Sequence, residues 1–293
     1  MDVTQYFPDA DYQFQMRLRR GDAAAFFSAT PDGPGLLRER AHWIQTSPAQ
    51  YVATGPEAGP LLDETIRLAI EWQTLGRAQS ELPEKAATDF AKCLFLAKVW
   101  EPDFLLLQPD AQGKFILVAG AVCFPSSWAL EEKMGRPVDV IHVPVPGLNE
   151  SLGASISAFL KKMPPGSAWC RDNWGLTASP ELNQHPARKL ARLQLPFDAA
   201  RIWVRIENQI LVALPEQRGL LFGIRLTQVP LAHLAQEARA QRGLRRALQT
   251  MPETVARYKG IAAVQSELVQ WLEKGAGGAT QSPTQTISGR VGT

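Results

Sequence analysis

The sequence predicts an α+β fold: an antiparallel sheet with a helical cluster on one face and extra helices toward both ends. Three observations carry this expectation. Helical and strand patterns come in blocks (helices, a hairpin, helices, further strands), without the βαβ alternation that a doubly wound sheet needs. Two pairs of apolar strands are separated by turn-forming strings, Pro109-Asp110-Ala111-Gln112-Gly113 and Pro215-Glu216-Gln217-Arg218-Gly219. A chain of 293 residues with 45% hydrophobic content can bury a sizeable core.

Residues 1–58 read as an irregular segment wrapping a core built elsewhere, with Pro and Gly punctuation and scattered aromatics such as Tyr6, Phe14 and Trp43. Residues 60–76 read as a helix, because Asp63 and Glu64 lie in the first turn, where they complement the helix dipole. Residues 83–100 read as a second helix, apolar on most sides of its last two turns and so expected to be buried. Residues 104–107 and 115–119 form the first hairpin. Residues 127–134 are expected to be a short helix capped by Ser126 or Ser127 and ended by Gly135. Residues 148–162 form a longer helix, stopped by Pro164-Pro165-Gly166. Strands follow near 168–177, 201–214 and 219–227, then helices over 230–248 and 252–273. One domain is expected over residues 1–274, and the Gly-, Ser- and Thr-rich stretch 275–293 is expected to be a disordered tail.

Composition narrows the function. Lys plus Arg is 31 and Asp plus Glu is 29, a net charge of +2, which gives no reason to expect nucleic acid or an acidic membrane surface as partner. No run of about 18 apolar residues suggests a membrane span. The first residues lack the basic and apolar regions of a signal peptide. The three cysteines, Cys93, Cys123 and Cys170, form no CxxC pair. Free thiols in a reducing cytoplasm are the expectation. Walker, GxGxxG, HExxH and GxSxG strings are absent, which removes the commonest nucleotide, zincin and hydrolase readings.

The candidate chemistry lies in residues 116–209. His142 is followed by Pro144 and Pro146, which remove backbone donors and stiffen the segment, a setting that suits a ligand whose ring must face one way. A capped loop with a buried, hydrogen-bonded histidine fits the same string. Arg171 and Asn173 share one side of a strand, with Asp172 and Trp174 on the other. The pair could line a polar pocket or face solvent. Arg205, Glu207 and Gln209 share a strand face in the same way, as they would in an ordinary amphipathic edge strand. His185 reads as exposed in a polar loop, His42 as part of the wrapping segment, and His233 as a surface or core-edge residue.

Read together, these blocks resemble one family. Cys123-Phe124-Pro125-Ser126-Ser127-Trp128, Glu132-Lys133-Met134-Gly135 and Ile141-His142-Val143-Pro144-Val145-Pro146 are similar to the signature of the haem-dependent oxidative N-demethylase α-subunit-like family. Arg171-Asp172-Asn173-Trp174 matches its Arg-x-Asn-Trp element, and Arg205-Ile206-Glu207-Asn208-Gln209 followed by Leu214-Pro215 matches a third. The chain departs at Asn208 and Ile210, where the pattern has a second Arg and a Thr or Ser.

The resemblance implies a PAS-like fold, with a haem pocket enclosed between sheet and helices. It implies a haem b whose iron activates O2 to demethylate a small secondary amine such as dimethylamine, giving a primary amine and formaldehyde. Electrons would come from NADPH through a reductase subunit carrying flavin mononucleotide and a 2Fe–2S cluster, and a tetrahydrofolate-dependent subunit would take the one-carbon unit. On this reading His142 is the metal ligand, with Trp174 and Arg205 also binding the cofactor. Arg171 and Asn173 would donate hydrogen bonds to iron-bound oxygen, and Glu207 would hold the substrate ammonium. Two other readings share the scaffold: a haem-based gas or redox sensor without turnover, and a haem-free interaction subunit. A sensor is expected beside an output domain, and these residues offer none, which favours the enzyme.

Overall fold

A computed structural model describes residues 2–84 and 86–275. The tail expected over 275–293 lies, apart from Gly275, outside the described residues. Seven strands form one sheet: β1 (Arg19–Arg20), β2 (Val52–Thr54), β3 (Asp103–Pro109), β4 (Phe115–Ala121), β5 (Ala168–Thr177), β6 (Trp203–Ala213) and β7 (Leu220–Pro230). Their order is β1-β5-β6-β7-β3-β4-β2, with every neighbouring pair antiparallel. The α+β fold class is therefore as the sequence predicts. Turn chemistry sets the first hairpin: Asp110 Oδ1 accepts from the backbone N–H groups of Gln112 and Lys114 at 2.9 and 2.8 Å, and Gly113 supplies a φ of +74°. The second hairpin is held from outside, where buried Glu64 accepts from the N–H groups of Glu216 and Gln217 at 2.7 and 2.9 Å.

The helices are α1 (Ala23–Phe27), α2 (Gly33–Thr46), α3 (Pro48–Tyr51), α4 (Gly59–Glu71), α5 (Asp89–Val99), α6 (Val138–Ile141), α7 (Ala154–Lys162), α8 (Leu231–Leu234), α9 (Ala238–Thr250), α10 (Glu253–Tyr258) and α11 (Gln265–Lys274). Three expectations are corrected. Residues 1–58 are not irregular, since they hold α1, α2, α3 and two short strands. The signal in α2 is masked because its core side carries Arg40, fully buried and bonded to Asp103 Oδ1 at 2.5 Å and to Ala97 O at 3.1 Å. Residues 127–134 form no helix: Ser127 has a φ of +61°, which a helix start cannot use, and Ser126 turns its hydroxyl to Glu207 instead of capping. The two C-terminal helices are each broken, the second at Gly260, whose φ is +69°.

Strand alternation divides the sheet into two faces. On one, Ile210 and Val212 of β6 join a core with Leu61, Leu62, Leu96 and Trp100 of the N-terminal half. Further along, Val204 and Ile206 join a core with Leu244, Leu248, Leu268 and Leu272. On the opposite face, Trp169, Leu211 and Ala213 pack with Ile141, Phe159 and Leu160. That second face begins apolar and then turns polar along β5 and β6, and the polar end is where the candidate residues meet.

Candidate functional site

The β5–β6 register places Arg171 opposite Gln209, Asn173 opposite Glu207 and Gly175 opposite Arg205. All six share the face that carries Trp169 and Leu211, as period-two alternation requires. Residues 169–175 are half-buried along their whole length, although the ends of β5 are buried, so this strand borders open space. A Cβ built on Gly175 meets nothing within 4 Å. The floor beside Arg205 is bare.

Glu207 is the hub. Its Oε1 accepts from Ser126 Oγ at 2.5 Å, and its Oε2 accepts from Asn173 Nδ2 at 3.2 Å and Gln209 Nε2 at 2.8 Å. All three donors are neutral. Arg205 is buried, donating from Nε to Ser126 Oγ at 2.7 Å and from Nη2 to the Phe124 carbonyl at 2.6 Å. Burial pulls its pKa down to about 10, against the pull of Glu207, so it remains charged at neutral pH. Burial also lowers the Arg171 pKa, again opposed by Glu207. Arg171 Nε, Arg205 Nη1, Trp169 Nε1 and Gln228 Oε1 are buried without a partner among the described residues. Gln228 pairs with Arg205 across β6–β7, so all four lie on this face. Buried polar atoms left unpaired are rare in native proteins and call for an explanation.

The loop bearing Ser126 is fixed from beneath. Asp103 accepts from the Cys123 and Phe124 N–H groups at 2.8 and 3.0 Å, and Arg40 pairs with the same carboxylate. The thiols of Cys93 and Cys123 are buried and pushed up to about 12 by burial, so they are inert as nucleophiles. Cys170 is half-buried and also free.

The four histidines separate cleanly. His142 closes α6, its backbone N–H bonded to Val138 O at 3.0 Å, so a helical turn and not the following prolines fixes it. It is half-buried, and its ring makes no hydrogen bond among the described residues. Its pKa is lowered first by burial and then by the charge of Arg171, and its neighbour Ile141 packs with Trp169 and Leu211 of the same sheet face. His185 is not exposed, as its sequence context predicts, but buried: Nδ1 accepts from Ala187 N–H at 3.2 Å and lies 3.1 Å from Gln50 Nε2, while Nε2 lies 3.2 Å from Glu131. Both its nitrogens are committed to structure. His42 and His233 are exposed.

Trp174 is not brought to the cluster. Its ring lies on the opposite face, 5.4 Å from the Phe7 ring and against Met251 and Val255. It matters through its backbone, for Trp174 O accepts from Lys259 Nζ at 2.7 Å, and that ammonium also lies 5.3 Å from the Trp174 ring centroid. Lys259 feels the charges of both Glu207 and Arg171, and burial drops its pKa to about 8. Sequence reasoning missed Lys259, because residues 252–273 read as one helix with Lys259 in its interior, and the break at Gly260 that turns it toward β5 is not part of that reading. Ser126 was visible but read as a cap. The two departures from the family pattern fall outside this face: Asn208 Nδ2 bonds Asp172 and Tyr6 on the other side, and Ile210 is core.

Among the described residues, no three His, Cys, Asp or Glu side chains gather to hold a bare metal ion, and no helix is long and apolar enough to cross a membrane. Surface depressions of about 450 and 410 Å³ lie near Ile116 and near Leu220 and include none of the polar cluster. A face with one uncommitted histidine, two arginines and a bare floor agrees with a cofactor that brings its own metal. The family model for haem-dependent oxidative N-demethylase, alpha subunit-like, matches residues 37–269, which include every residue of this cluster. The chain belongs to the haem-dependent oxidative N-demethylase, alpha subunit-like family.

Proposed function

We propose that the polar end of the β5–β6 face holds one b-type haem with His142 as its iron ligand, and that the protein demethylates a small secondary amine oxidatively. The observation that carries this reading is that His142 alone of the four histidines combines partial burial with a ring free of hydrogen bonds among the described residues, on a turn whose Ile141 packs with Trp169 and Leu211 of this face. The residues fit the group. A haem iron brings four nitrogens and needs one imidazole from the chain. Its macrocycle needs apolar walls, which Trp169, Ile141 and Leu211 offer. The orphaned Arg171 Nε and Arg205 Nη1 and the bare Cα of Gly175 leave donors and space on the same face. When bound, haem supplies the oxygen activation.

The chain's own residues bind and orient. Glu207 accepts three hydrogen bonds and has capacity for about one more, so it receives the amine N–H. Asn173 and Ser126 fix that carboxylate, and Arg171 and Arg205 raise the positive potential beside it. The overall reaction consumes the amine, O2, NADPH and a proton, and yields the demethylated amine, formaldehyde, water and NADP+. Its electrons come from a separate reductase subunit carrying flavin mononucleotide and a 2Fe–2S cluster, and a tetrahydrofolate-dependent subunit takes the formaldehyde carbon. The test is formaldehyde release by haem-loaded protein, supplied with electrons and O2, from N-methylated secondary amines including dimethylamine. O2-dependent formaldehyde is the expected result. Haem-loaded protein that releases none, and whose spectrum no amine perturbs, would remove the enzyme reading.

A further inference from the structure

Charge on the site face is out of proportion. Arg171 and Arg205 flank Glu207, each about 7 Å along the strands at two residues' spacing. Lys259 Nζ sits at the edge of β5, bonded to Trp174 O beside Asn173, and the charges of Glu207 and Arg171 both act on it there. Among the described residues, Glu207 is bonded only by neutral side chains. The next acids are already taken, Asp172 by Arg19 at 2.6 Å and Asp103 by Arg40. Three cations thus face one carboxylate that touches none of them. Uncompensated buried charge is costly, and proteins retain it where a ligand completes it.

We infer that Arg171, Arg205 and Lys259 form a carboxylate-binding site, so that what this face takes carries a carboxylate as well as the amine. Two atoms point to the place: Arg205 Nη1 and Arg171 Nε, both buried without a partner among the described residues. The open floor at Gly175 gives the room. Glu207 in their midst repels a free inorganic anion and suits a ligand of both signs, with its amine toward Glu207 and its carboxylate toward the cations. One source is an N-methylated amino acid as substrate. The other, which rests on the haem reading, is a haem propionate, with the amine arriving separately.

The test uses the full-length protein and two pairs of probes that differ at the carboxylate. Hemin and its dimethyl ester are titrated into haem-free protein and followed at the Soret band. N-methylglycine and dimethylamine are titrated calorimetrically into haem-free and haem-loaded protein. The expected result is a preference of about ten-fold or more for the carboxylate member of at least one pair, the scale of one charge-assisted hydrogen bond. That preference shrinks in Lys259→Met and returns in Lys259→Arg. Preference in the hemin pair assigns the site to a propionate, and preference in the amine pair assigns it to the substrate. Equal binding within both pairs overturns the inference, and a preference unchanged in Lys259→Met removes Lys259 from it. If neither hemin form gives a Soret band, the haem reading fails alone, and the calorimetric pair on haem-free protein still decides the carboxylate site.

Discussion

Asn173 faces Glu207 across the β5–β6 ladder and donates its side-chain Nδ2–H to Glu207 Oε2 at 3.2 Å. With Ser126 and Gln209, it fixes this carboxylate between Arg171 and Arg205 on the site face. Glu207→Gln keeps the shape and removes the charge. The half-buried guanidinium of Arg171 and the buried one of Arg205 then lose their nearest compensation, so stability falls by about 1–3 kcal/mol. The measurement is the urea midpoint at unchanged slope. The same variant retains haem and binds amine roughly 10- to 150-fold more weakly. A wild-type midpoint together with wild-type amine binding would reduce Glu207 to a strand residue.

The Arg40–Asp103 pair supports the site from below. Asp103→Asn leaves Arg40 buried and charged without its carboxylate, and weakens the acceptor that holds the Cys123 and Phe124 N–H groups. Breaking a buried pair from one side costs about 3–5 kcal/mol. A lowered melting temperature is expected, together with weaker haem retention in the folded fraction, because the Ser126 loop loosens. Loss of stability with unaltered haem affinity would show that the loop does not depend on this pair.

Lys259 carries a stability cost that runs with pH. Its folded pKa, about 8, lies below the ordinary lysine value of 10.5. The unfolded chain therefore binds more protons between these values, and stability rises with pH across that window. Below about pH 8 the full penalty is present, up to about 3 kcal/mol at 1.36 kcal/mol per unit. Lys259→Met is expected to raise the melting temperature of haem-free protein at pH 7, with the gain shrinking as pH approaches 10.5. A variant that melts lower at pH 7 would show that the bond to Trp174 O outweighs the burial of charge.

The sheet was legible because its signals are local: alternation over 168–177 and Asp110–Gly113 turn chemistry place β5 and the first hairpin within a residue or two. The shared face of Arg171 and Asn173, and of Arg205, Glu207 and Gln209, follows from the same alternation. What stayed hidden depends on contacts distant in sequence. Arg40 breaks the apolar stripe of α2 because its partner Asp103 is far along the chain. Ser126 has the sequence context of a cap, but bonds residues about 80 positions away. His185 has the context of an exposed loop and is buried by Tyr51 and Gln50. Lys259 joins the site only because the C-terminal helices fold back on the edge of β5.

The proposed role of His142 as ligand to a haem iron on this face has an optical readout. It is tested most directly by the visible spectrum of full-length, haem-supplemented protein beside that of His142→Ala, with exposed His233→Ala as the control. One haem per chain and an intense Soret band are expected in the wild type and in His233→Ala. His142→Ala should lose its haem or show a displaced Soret band, and added imidazole should restore the wild-type position. A His142→Ala protein with the wild-type spectrum and full haem content would show that His142 is not the iron ligand.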